Sequence, residues 1–119
     1  MATVDEQAFS ASTNGRQIKV AATSSPGTLI HAATAGNGTA EDHDRVYLYL
    51  HNNSAADVLA TVEFGGTAVD DQESVPIPSR AGRQLIVPGL PLQNALEVKV
   101  FAASPDVIMA SGYIHRIDK

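Results

Sequence analysis

A chain of 119 residues fits one ordinary domain and buries about two-thirds of its unfolded surface, enough for a core without a metal or disulfide staple. It contains no cysteine, which excludes thiolate catalysis, thiolate metal sites and a disulfide framework. A net charge of −5 with eight scattered Lys and Arg argues against a nucleic-acid surface, which needs clustered cations to displace phosphate counterions.

In chain order, residues 1–16 are small and polar and end in the turn dipeptide Asn14-Gly15. They read as an extended arm or an edge segment ahead of a domain over 17–119. The largest apolar anchors of this arm are Val4 and Phe9, too few to offset an ordering cost of ~1–2 kcal/mol per residue, so it is expected to order only on a partner. Asp5 and Glu6 stand where a secretory signal carries basic residues, so no such signal is expected. No apolar run approaches the ~20 residues a membrane helix needs.

Gln17 to Ala22 alternates in the manner of a half-buried strand, and Thr28 to Ala33 reads as a second strand after the Ser25-Pro26-Gly27 turn. A loop rich in glycine and acid covers 34–44. Arg45 to Asn52 carries the clearest alternation, with Val46, Leu48 and Leu50 on one face and Tyr47, Tyr49 and His51 on the other. Asp57 to Phe64 follows. Glu73 to Pro78 holds two prolines, which confines it to an edge or to an irregular strand. Arg83 to Val87 is expected to stop at Pro88-Gly89. Leu96 to Ala102 sets Val98 and Val100 against Lys99 and Phe101, and Val107 to Met109 with Gly112 to Ile117 supply one or two last strands. No segment has helical periodicity over ten residues. The expected fold is all-β, a single-domain antiparallel β-sandwich of jelly-roll type.

Candidates for chemistry are sparse. Glu41, Asp42, His43 and Asp44 offer oxygen and nitrogen ligands without the ligand spacing of a calcium loop, so a solvated loop is the plainer reading. Asp70, Asp71 and Glu73 are neighbours in a hairpin, whereas paired catalytic carboxylates face one another across a cleft. The histidines at 31, 43, 51 and 115 match no zinc motif, and no serine-nucleophile or phosphate-loop motif occurs. No cofactor, metal site or catalytic residue is expected.

The stretches Ser24-Ser25-Pro26-Gly27-Thr28-Leu29-Ile30-His31, Val46-Tyr47-Leu48-Tyr49 and Glu63-Phe64-Gly65-Gly66-Thr67 belong to a wider pattern. With Val87-Pro88-Gly89-Leu90-Pro91-Leu92 and Gly112-Tyr113-Ile114-His115-Arg116-Ile117, they resemble small virion proteins of tailed bacteriophages encoded near the major capsid protein. That resemblance implies a capsid decoration, or cement, protein. Such a protein is made in the host cytoplasm, sits on the head surface, bridges subunits of the major capsid protein and forms a homotrimer. The scattered cations and short apolar runs lead to the expectation of no nucleic-acid or membrane partner. Residues with apolar character that one sandwich interior cannot hold are the candidate interface: Val4, Phe9, Tyr47, Tyr49, Phe101 and Tyr113. The alternatives are a head-to-tail adaptor, tail or fibre-base protein, and a carbohydrate-binding module, which would need exposed aromatic platforms. A small hydrolase would need a nucleophile–base arrangement that the motifs do not offer.

Overall fold

Alternation of aliphatic with polar residues every second position decides the architecture. A computed structural model describes residues 3–36 and 42–118. Among them are nine strands: β1 (Thr3–Ala8), β2 (Ile18–Lys19), β3 (Thr28–Ala32), β4 (His43–Asn52), β5 (Val58–Phe64), β6 (Gln72–Ile77), β7 (Gln84–Leu92), β8 (Glu97–Ala102) and β9 (Ile108–Asp118). Sheet A has the order β1-β9-β4-β7, with β2 also beside β9; sheet B has the order β3-β8-β5-β6. Every strand pair is antiparallel. The protein is a β-sandwich.

Between the sheets lie Val46, Leu48 and Leu50 of β4, Ile108, Ala110 and Ile114 of β9, Ala60 and Val62 of β5, and Val98 and Val100 of β8, all buried. Burying each of the larger of these side chains contributes about 1.5–3 kcal/mol. The inward and outward faces of β4, β5 and β8 are those the alternation assigns, and β6 is an edge strand.

Three expectations are corrected. The polar segment 1–16 does not wait for a partner. Thr3 to Ala8 pairs with β9 from Asp118 to Tyr113, and Phe9 enters the core at 3% exposure. The eleven-residue β9 supplies a backbone edge that β1 satisfies, so the strand needs few apolar anchors of its own. The chain also does not stop at Pro88-Gly89. Because β7 is an edge strand, its prolines remove no ladder bond, and two register shifts against β4 absorb the irregularity. Finally, Gln17 to Ala22 forms only the two-residue β2, since Ala21 and Ala22 give their N–H groups to Thr28 Oγ1.

Gly112 explains how Phe9 fits. A Cβ at this position would collide with the Tyr47 carbonyl oxygen and lie 3.2 Å from the Phe9 ring, and its φ of +139° is one that L side chains rarely adopt. Its bare backbone lets β9, β4 and the Phe9 ring converge.

Candidate docking face

β4 and β9 pair over ten positions, and that register builds the outward face of sheet A. Its rungs are Arg45 opposite His115, Tyr47 opposite Tyr113, Tyr49 opposite Ser111 and His51 opposite Met109. All three tyrosines of the chain therefore emerge on one face. The Tyr47 and Tyr113 rings stack with centroids 4.9 Å apart and planes 18° apart. His115 completes the cluster, edge-on to Tyr47 at 5.1 Å. Such ring pairs contribute about 0.5–1.5 kcal/mol beyond their area. Glu6 of β1 holds the His115 ring, with Oε1 3.1 Å from Nε2. Desolvation, with Tyr49, Tyr47 and Glu6 nearby, holds the Tyr113 phenol above its usual pKa, so it stays neutral at pH 7. Across β7, Gly89 sits beneath Tyr47; a Cβ there would stand 2.8 Å from the ring. The glycine lets the ring lie over the bulge.

Val4 lies opposite Ile117 on the same face and is 62% exposed, and Leu85 lies opposite Tyr49 at 48%. The structure thus brings together Val4, Tyr47, Tyr49 and Tyr113 of the expected interface set. Among the described residues no third layer covers this face. The other two members lie elsewhere. Phe9 is a core residue, as described above, and Phe101 is half-buried on the outer face of sheet B, opposite Thr61.

The interior holds an arrangement that residue spacing did not reveal. His31 Nε2 lies 2.7 Å from Asp44 Oδ2, and Arg116 grips the same carboxylate through Nε at 2.8 Å and Nη2 at 3.0 Å. Thr34 N–H donates to Asp44 Oδ2 at 3.0 Å, and Ser10 N–H donates to His31 Nδ1 at 3.0 Å. A backbone N–H can only donate, so Nδ1 is the acceptor and the ring is the neutral tautomer carrying its proton on Nε2. Burial alone would raise the Asp44 pKa, but hydrogen bonds from His31 and Arg116 and the Arg116 charge outweigh it and bring it to about 2. His31 is 1% and Asp44 0% exposed, and both ring nitrogens are engaged. The set is a strut between the sheets, joining β3 to β4 and β9.

That strut corrects the solvated-loop reading of 41–44. Glu41 lies outside the described residues, but Asp42 is 5% exposed, and His43 and Asp44 already belong to β4. Asp70 and Asp71 are exposed on a short 3₁₀ turn. Among the described residues no group of three or more His, Asp or Glu is placed to hold a metal ion. Glu63, on the face of β5 opposite Val58, Ala60 and Val62, is fully buried beneath the 25–27 turn. It accepts hydrogen bonds from Ser25 Oγ at 2.6 Å, Gly27 N–H at 2.7 Å and Gln72 Nε2 at 3.1 Å. Burial pushes its pKa up; these bonds, with Lys99, bring it below the usual value.

Comparison of the chain with models of protein families, with curated proteins and with solved structures finds no match in any of the three.

Proposed function

We propose that this protein is a non-catalytic binding module of a tailed-bacteriophage virion, a decoration protein that docks the outer face of sheet A on the capsid and bridges neighbouring subunits. The observation that carries this reading is the gathering of Val4, Tyr47, Tyr49 and Tyr113 on one uncovered face. Exposed apolar and aromatic side chains gathered on one face mark interaction sites, and tyrosine is enriched where interfaces derive their energy. The domain measures 48 × 27 × 21 Å, a slab long enough to lie across a boundary between two subunits. The choice of a capsid partner and of a homotrimer rests on the sequence resemblance. Closed cyclic symmetry would cover any remaining self-contact without open polymerisation.

Sedimentation with empty capsids of the phage that encodes the protein tests the proposal. The wild-type protein should pellet with capsids in hundreds of copies per particle. Tyr47→Ala with Tyr113→Ala should weaken binding by about thirtyfold or more, since hot-spot aromatics are worth ≥ 2 kcal/mol. Six or twelve copies would place the protein at the neck or tail. The same face favours one second reading, a carbohydrate-binding module, because it supplies the aromatic platform such a module needs. Retention on an immobilised glycan with no capsid binding would establish that reading instead.

A further inference from the structure

One rung beyond the tyrosine stack, the outer face of sheet A sinks into a shallow groove of about 480 Å³. Tyr49 of β4 with Ser111 and Gly112 of β9 form its floor, Arg16 and Gln17 lie on the side of β2, and Arg83 lies on the side of β7. The protein is acidic overall, and the cations of Lys99 and Arg116 are paired with carboxylates in place. Neither Arg16 nor Arg83 meets a carboxylate among the described residues. Two unneutralised guanidinium groups thus flank one groove of a protein with net charge −5.

Arg83 is held through its side chain and Arg16 through its backbone. Arg83 Nε donates to Ser111 Oγ at 3.1 Å, which aims the fork and leaves its terminal nitrogens available. Arg16 N–H donates to Thr13 O at 3.0 Å. The loop that carries Arg16 is tied to buried Phe9, whose carbonyl accepts from Ser12 Oγ at 2.7 Å; Gly15 N–H in turn donates to Ser12 Oγ at 3.3 Å. A hollow lined by Gln17, His51, Gly82 and Arg83 adjoins the groove, and the His51 Nδ1 atom is buried without a partner. Burial and the Arg83 charge hold the His51 pKa below its usual value.

We propose that this groove is a carboxylate-binding site that takes an acidic segment of a protein partner, with Arg16 and Arg83 as the clamp and Tyr49 as the apolar floor. A guanidinium fork matches the two oxygens of a carboxylate, and a tyrosine ring accepts the aliphatic part of the same segment. Arg83, already fixed on Ser111, loses little freedom on binding. The identification of the partner as a protein rests on the docking-face reading, because Tyr49 joins the groove to the tyrosine stack.

An NMR titration of the free protein with a hexaglutamate peptide, in physiological salt, tests this without any capsid. The side-chain signals of Arg16, Arg83 and Tyr49 and the amide of Ser111 should shift together and saturate. Arg16→Ala and Arg83→Ala should each weaken binding by about tenfold, as expected for a charge-assisted hydrogen bond. Arg80→Ala, a cation outside the groove, should leave it unchanged. Loss of binding on Arg80→Ala equal to that on Arg83→Ala, or shifts spread over the surface, would overturn the site. Equal shifts with inorganic phosphate alone would overturn the carboxylate assignment. Concentration-dependent shifts of these signals without peptide would assign the groove to a second copy of the chain. Peptide binding in a protein that fails to pellet with capsids would leave the groove standing and remove the capsid reading; pelleting unaffected by Arg16→Ala and Arg83→Ala, with no peptide binding, would do the reverse.

Discussion

Asp44→Ala will destabilise the domain by about 3 kcal/mol in urea unfolding at pH 7, because removing one member of a buried charge pair strands the others. His31 Nε2–H and Thr34 N–H lose their acceptor, while Arg116, 31% exposed, can turn to water. The pH dependence follows from the carboxyl pKa. Its folded value of about 2 lies below the ordinary aspartate value of 3.8, so the folded state favours the charged form. The resulting stability is fully present above pH ~4 and is lost as pH falls through the folded value. Integrated over the shift this is about 2 kcal/mol. Wild-type stability should therefore drop by about that amount between pH 4 and pH 2 more than that of Asp44→Ala. Parallel acid limbs in the two proteins would show that the carboxylate is not held as described.

Phe9→Ala should cost about 3–4 kcal/mol, the range for deleting a buried aromatic ring. The ring is 3% exposed, packs against His31 with centroids 5.9 Å apart, and fills the space that Gly112 leaves open. Deleting residues up to Ala8 should cost less than this single ring, because every side chain of β1 is exposed. A melting temperature unchanged by Phe9→Ala would return the N-terminal segment to the status of an arm that orders only on a partner.

These two effects also mark where sequence reading stopped. The inward face of β4 was legible from Val46, Leu48 and Leu50, and the same alternation extended back two residues places Asp44 inside. What the alternation cannot supply is the partner. His31 comes from the other sheet and Arg116 lies 72 residues away, so only the fold reveals that the charge is satisfied. Phe9 lay in a polar stretch with no period, since it follows β1 rather than belonging to it, and its burial depends on Gly112 and His31. The burial of Glu63 had no local signal: its strand position faces away from the core, and the 25–27 turn folds over it, a tertiary event. The tyrosines at 47 and 49 were correctly placed on an outer face. That Tyr113 stacks on Tyr47 required the β4–β9 register, which no short-range pattern encodes.

The docking face can be tested most directly by footprinting on the particle. The free protein and the capsid-bound protein would be exposed to the same hydroxyl-radical dose, and modification read residue by residue. Protection on the capsid is predicted at Tyr47, Tyr49, Tyr113 and Val4, with Leu59 and Phe101 of sheet B as reactive as in the free protein. Protection of Leu59 and Phe101 with unchanged tyrosines would contradict the assignment of the outer face of sheet A as the docking surface.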